Sequence, residues 1–217
     1  MLASIIETTQ QSIQALDEQL LLLVNGSPAW AADGMWWASQ TAVWIPLYIA
    51  LMLWVVRASW RVAAGTKAVN YARLVLGSVL VLAATFGASD AISSRVLKPG
   101  FERLRPSHAP ALQGQLYHAS RVTTSGETEL YRGGRYGFVS SHAANTFGLA
   151  AAFTLLMGRA RWLWAWAAFV TWTRLYLGVH YPTDVLFGAI LGIGCAAALR
   201  TLHLRIQPAI LSLRKSN

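Results

Sequence analysis

The chain has 217 residues, of which 55% are hydrophobic and only 12% charged, with ten tryptophans and a mean hydropathy of +0.41. Soluble domains usually carry about twice that share of charge, so the composition excludes an ordinary water-soluble fold and points to one membrane-embedded domain over residues 1–217. The net charge of +9 does not imply nucleic acid, because the basic residues fall in short clusters at the ends of apolar runs.

Residues 4–24 read SIIETTQQSIQALDEQLLLLV, with Ile5, Ile6, Ile13, Leu16, Leu20 and Leu23 at roughly helical spacing. Glu7, Gln10, Gln11, Asp17 and Glu18 stand between them, which predicts an amphipathic helix lying at a membrane surface. NGSP at 25–28 breaks it, and residues 1–34 form an N-terminal amphipathic segment. No basic region opens the chain, so this start does not read as a cleaved signal peptide. Five apolar runs follow, near 36–56, 72–92, 143–158, 162–179 and 183–203. Each is close to the ~20 residues that cross a bilayer, the third and fourth being the shortest. The predicted fold is therefore all-α: an integral membrane helical bundle of about five transmembrane helices plus the N-terminal interfacial helix. Gly148, Gly188, Gly192 and Gly194 suit close helix packing, and the lone Cys195 reads as a small packing residue. Residues 93–142 form a long outer connection, a kind of segment that often carries function.

Loop charge predicts the orientation. Arg57, Arg61, Lys67 and Arg73, then Arg159 and Arg161, then Arg200, Arg205, Arg214 and Lys215 fall on one side of a five-span bundle, which makes that side cytoplasmic. Residues 1–35 hold Glu7, Asp17, Glu18 and Asp33 but no Lys or Arg, and lie outside with segment 93–142 and the turn at His180. That outer segment carries seven Lys and Arg, against the rule unless they bind an anion.

Three clusters share this outer face. In KPGFERLRPSH, Lys98, Arg103 and Arg105 supply cations and Pro106 fixes the chain. Such a set grips phosphate oxygens, or forms a basic loop on anionic headgroups. In YGFVSSHAANTFG, Ser140, Ser141 and His142 precede an Ala-rich helix, whose N-terminus suits a phosphate or simply a serine cap. In TRLYLGVHYPTDV, Pro182 suits the first helical position, with His180 just before it and Asp184 in the first turn. A carboxylate on one ring nitrogen fixes the tautomer and leaves the other as a nucleophile; the alternative is a structural Arg174–Asp184 pair beside an interfacial histidine.

In order, the set is Lys98, six residues, Arg105-Pro106; then Ser140-Ser141-His142; then Arg174, five residues, His180, three residues, Asp184. It resembles the type 2 phosphatidic acid phosphatase superfamily. Two departures stand out. That family's middle motif usually reads Pro-Ser-Gly-His where this chain has Val139-Ser140-Ser141-His142, and its last begins Ser-Arg where this chain has Thr173-Arg174. A serine replacing glycine still supplies a backbone N–H if the turn accepts a Cβ, and the Thr173 hydroxyl can replace that of serine.

The resemblance implies hydrolysis of a lipid phosphate or diphosphate through a phosphohistidine. His180 would be the nucleophile, Asp184 its orienting partner and His142 the acid and then the base. Lys98, Arg105, Ser140, Ser141 and Arg174 would bind the phosphoryl group. No cofactor is implied, since no carboxylate cluster is available for Mg²⁺. The implied substrate is a membrane lipid phosphate in the bilayer, of the polyprenyl diphosphate, phosphatidylglycerol phosphate or phosphatidate class. The implied location is a bacterial inner membrane, with the site on the periplasmic or extracellular side. Asp90 reads as a structural partner of a nearby Arg or Lys; His108 follows the first motif and is either a substrate contact or a bland polar residue, and Arg132 and Arg135 either steer an anionic headgroup or, the favoured reading, cap a solvated loop. His118 and His203 match no motif. A vanadate-dependent haloperoxidase would share the pocket, but five apolar spans oppose it. A non-catalytic lipid-binding protein would be marked by loss of His142, His180 or Asp184, all of which are present.

Overall fold

A computed structural model describes residues 1–63, 68–122, 126–158 and 160–213; Lys67, Arg159, Arg214 and Lys215 of the orientation argument lie outside them. Helix α1 (Leu2–Val24) is followed by α2 (Ala32–Ala38), α3 (Ile45–Ala63), α4 (Ala68–Ala91), α5 (Lys98–Phe101), α6 (Ser141–Met157), α7 (Arg161–Tyr176) and α8 (Pro182–Leu213). A hairpin of β1 (Ser120–Val122) and β2 (Thr128–Leu130), not anticipated in an all-α reading, decorates the connection before α6.

The first apolar run is broken where the sequence suggested one span. Gln40 is extended (φ −83°, ψ 125°), so α2 stops and the chain restarts through a 3₁₀ turn at Thr41–Trp44. The open end of α2 is satisfied locally. Ser39 Oγ donates to Trp36 O at 2.7 Å and Trp44 Nε1 to Ala38 O at 2.8 Å. The second run is longer than expected, because α4 continues through a π-helical stretch, Ile92–Leu97, into α5. Glu102, in the left-handed region (φ 46°), ends it. The outer connection thus begins at 102 and not at 93.

Among the described residues three helical segments are long and apolar enough to cross a membrane: Thr41–Arg61, Tyr71–Phe101 and Pro182–Arg205. The other two expected spans, α6 and α7, have 17 and 16 residues. At 1.5 Å per residue they are about 26 and 24 Å long, short of the ~30 Å hydrocarbon core. They occupy the middle of the bundle, where α6 packs on α4, α7 and α8. The core joins Leu51 and Val55 of α3, Leu82 of α4, Ala150 and Phe153 of α6, Leu163 and Trp166 of α7, and Ala196 of α8. Leu53, Leu80, Leu186, Phe187 and Ile190 point outward. Fully burying such a side chain is worth about 1.5–3 kcal/mol, which favours a bilayer around this belt. Helix α1 packs on α7 and α8 with Asp17 and Leu21 buried, while Ile13, Leu16, Leu20 and Leu23 remain exposed to lipid.

The tightest crossing is between α6 and α8. A Cβ on Gly192 would overlap the Ala144 carbonyl oxygen and stand 2.7 Å from Gly148 N. By contrast, Gly194 faces open space. Replacing Gly192 by Ala should therefore cost about 1–3 kcal/mol of overpacking, read as a lower unfolding midpoint in detergent. Gly194→Ala should leave that midpoint unchanged or raise it; equal effects at the two positions would refute the crossing.

Candidate active site

The start of α8 is held by its own side chains. Pro182 occupies the first helical position, as expected, and Asp184 Oδ2 reaches back to accept from Tyr181 N at 3.0 Å. The same oxygen lies 3.4 Å from His180 Nδ1, and the Gly137 carbonyl also accepts from this ring. Both His180 and Asp184 are buried. The approach of Gly137 is obligatory: a Cβ there would stand 2.8 Å from Asp184 Oδ2. Gly137 is delivered by antiparallel pairing of 103–105 with 135–137, in which Arg105 N donates to Arg135 O (3.0 Å) and Gly137 N to Arg103 O (2.9 Å).

The other Asp184 oxygen belongs to Arg103. Its Nη1 donates to Asp184 Oδ1 at 2.8 Å and to Thr183 Oγ1 at 2.7 Å. Its Nη2 donates to Asp17 Oδ2 at 2.6 Å and to Gln14 Oε1 at 2.7 Å. Its guanidinium also stacks 4.3 Å over Tyr181. Asp17 in turn accepts from Thr183 N (3.0 Å) and from the Thr183 hydroxyl. Arg103 is thus not a phosphate ligand, as its place in the first cluster suggested, but the clasp joining α1 to the start of α8. Sequence reasoning treated Asp17 as one polar residue of an amphipathic helix. Its only local signal is that it shares a face with Leu21, four residues on; its partners are 86 and 166 residues away.

Two arginines stand almost wholly buried beside His180. Arg174, at the end of α7, is 2% exposed and Arg105 is 8% exposed. Arg174 Nη2 donates to Tyr131 Oη at 2.9 Å, while its buried Nε has no partner among the described residues. Arg105 Nε donates to Tyr136 O at 3.1 Å. Burial and the neighbouring Arg174 pull the Arg105 guanidinium down to about 10. Burial would raise the Tyr131 phenol, but Arg174 brings it below its ordinary value. The His180 pKa is pushed well below the usual histidine value by burial first, then by Arg105, Arg174 and Lys98. His180 is therefore an unprotonated imidazole at neutral pH. His142, whose ring bonds the Ser39 carbonyl, is pushed down to about 2 by burial and then by Arg174.

The serines do structural work. Ser140, buried, caps α6 with its hydroxyl 3.4 Å from Ala143 N, and its own N–H donates to the Asp184 carbonyl at 2.9 Å. Ser141 stands in helical conformation, so the turn accepts its Cβ. Its hydroxyl meets Lys98 Nζ at 2.7 Å and Ser93 Oγ at 2.8 Å. The π-helical stretch places Ser93 and Lys98 together there. The Thr173 hydroxyl turns back to Val170 O at 2.6 Å. Asp90 departs from expectation: its side chain meets Asn145 Nδ2 at 3.4 Å and forms no ion pair among the described residues. Arg132 and Arg135 are exposed on the loop, and His108 approaches Ser107 Oγ at 3.2 Å. Among the described residues no three His, Cys, Asp or Glu side chains converge to hold a metal ion.

An unprotonated histidine backed by a carboxylate and faced by cations, at one end of a membrane bundle, is equipment for transferring a phosphoryl group from a membrane-bound substrate. Residues 75–208 match the PAP2 superfamily. The chain is 35% identical over 184 residues to a lipid A 4'-phosphatase of Bacteroides thetaiotaomicron, covering 82% of this chain and 72% of that protein. It is 31% identical to a lipid A 4'-phosphatase of Porphyromonas gingivalis, covering 83% and 70%. Its fold is similar to that of a transmembrane PAP2-type phosphatidylglycerolphosphate phosphatase of Bacillus subtilis, with a TM-score of 0.56, 21% identity and coverage of 90% and 88%. The chain belongs to the PAP2 superfamily.

The clasp gives a direct test. Arg103→Ala leaves the Asp184 carboxylate buried without its cation. This should destabilise the protein by roughly 2 kcal/mol, less than the ~3–5 of a fully buried pair because the Arg103 side chain is 22% exposed. Arg103→Lys should not restore it, since one ammonium cannot match a four-acceptor fork. Unfolding midpoints in detergent check both, and an unchanged Arg103→Ala midpoint would contradict the clasp.

Proposed function

We propose that the His180–Asp184 pair and the cations around it hydrolyse the phosphate ester of a membrane lipid through a phosphohistidine. The protein is an integral membrane lipid phosphatase by its family and relatives; the role of each residue is our reading. The observation that carries it is the unprotonated, carboxylate-backed His180 beside Arg105 and Arg174, with Arg174 Nε left without a partner.

A phosphoryl group bound between Arg105, Arg174 and Lys98 offsets their charge and so lets His142 hold a proton. His180 attacks phosphorus, the bond to the leaving oxygen breaks, and that oxygen takes the His142 proton. His142, now neutral, removes a proton from water, whose oxygen attacks phosphorus. The P–N bond breaks back to His180, and inorganic phosphate leaves. Asp184 holds the ring and stabilises its charge in between. The named relatives suggest a lipid bearing its phosphate on a saccharide headgroup, within the wider class of lipid phosphates. Arg57, Arg61, Arg73, Arg161, Arg200 and Arg205 lie towards helix ends opposite those bearing the site, which supports a periplasmic or extracellular site; labelling of single cysteines in the 102–139 loop from each side tests this.

Purified protein in detergent should release phosphate from at least one of phosphatidate, phosphatidylglycerol phosphate, polyprenyl diphosphate or lipid A. His180→Ala should abolish turnover, and His142→Ala should slow it by about 10²–10⁴-fold. Excess EDTA should leave the rate unchanged, because side-chain cations supply the positive charge. Full activity in His180→Ala, or no release from any lipid, would overturn the reading.

A further inference from the structure

Beside His142, between α3, α4 and α6, lies a cavity of about 320 Å³. Trp44, Tyr48 and Phe86 give it an apolar wall, and Asp90 and Asn145 are polar residues in its lining. Neither polar residue has a part in the chemistry described above. Asp90 can only accept, so it turns the Asn145 amide with Nδ2 towards itself, at 3.4 Å. The Asn145 oxygen is then left buried with no partner among the described residues, a costly state for an acceptor unless a ligand completes it. Lys98, which feels the Asp90 charge, bonds Ser141 instead.

His142 protonates the departing oxygen, so the leaving group must lie against His142, where this cavity opens. We propose that Asp90 and Asn145 form a subsite that accepts hydrogen bonds from hydroxyl groups carried next to the scissile ester oxygen. The inference rests on the phosphatase reading and narrows it to lipids whose phosphate sits on a hydroxylated framework, a glycerol or a sugar. Trp44, Tyr48 and Phe86 would cover the carbon side of that framework. A prenyl diphosphate is the disfavoured case. Its leaving group is an anionic phosphate with no hydroxyl on its chain, and the Asp90 carboxylate repels it.

The test compares kcat/KM for phosphatidylglycerol phosphate, whose leaving group has a free hydroxyl beside the ester, with that for phosphatidate, which has none, and for farnesyl diphosphate. The wild type should favour the first by at least about tenfold, the worth of one hydrogen bond to a charged group. Asp90→Asn and Asn145→Ala should each shrink that ratio about tenfold, and Asp90→Asn should shift preference towards farnesyl diphosphate. The two variants lie on different helices, so misfolding of one leaves the other to decide. A wild type active but indifferent among the three, or variants that lower all three equally, would overturn the subsite alone. A wild type that releases phosphate from none of these three nor from lipid A would overturn the phosphatase reading and the subsite with it.

Discussion

Burying Arg105 and Arg174 side by side is the constraint on which the rest of the site depends. Each guanidinium is almost without solvent, and removing such an ion from water costs several kcal/mol before any partner is found. The protein supplies only partial compensation: the Tyr131 phenol, the Tyr136 carbonyl and the more distant Asp184 charge. A phosphoryl group between them, as proposed above, would supply the opposite charge. Burial first, and then the same charges, keep the His180 imidazole unprotonated.

The fold answers that demand through helix ends. Lys98 follows the π-helical end of α4, Ser140 caps α6, Arg174 closes α7, and His180 and Asp184 open α8. The glycine crossing of α6 and α8 brings two of these ends together, and the pairing of 103–105 with 135–137 closes the pocket from the loop side. Asp184 is shared among three duties: it caps its own helix, faces His180 and accepts from Arg103. Through Arg103 and Asp17 helix α1 is tied to the start of α8, so the two helices form one mechanical unit.

Much of this was legible in the sequence because the determinants are local. Apolar runs gave the helices, Pro182 the start of α8, and motif spacing the five residues now gathered around His180. What was hidden depends on distant partners. Asp17 looks like any polar residue of an amphipathic helix, since Arg103 and Thr183 are far along the chain. Arg103 looked like a phosphate ligand because its neighbours Lys98 and Arg105 are basic, yet the left-handed turn at Glu102 and the strand-like 103–105 pairing send it the other way. Tyr131 carries no motif at all. Apolarity alone did not reveal that α6 and α7 are shorter than the other expected spans and contribute much of the buried core.

The central claim is that His180 carries the phosphoryl group. It is tested most directly by mixing the protein with a radiolabelled lipid phosphate, quenching in alkali, where phosphohistidine survives, and mapping the labelled peptide. The account predicts one phosphoryl group on His180, absent from His180→Ala and longer-lived in His142→Ala. Turnover with label on another residue, or with no labelled protein under any quench, would contradict it.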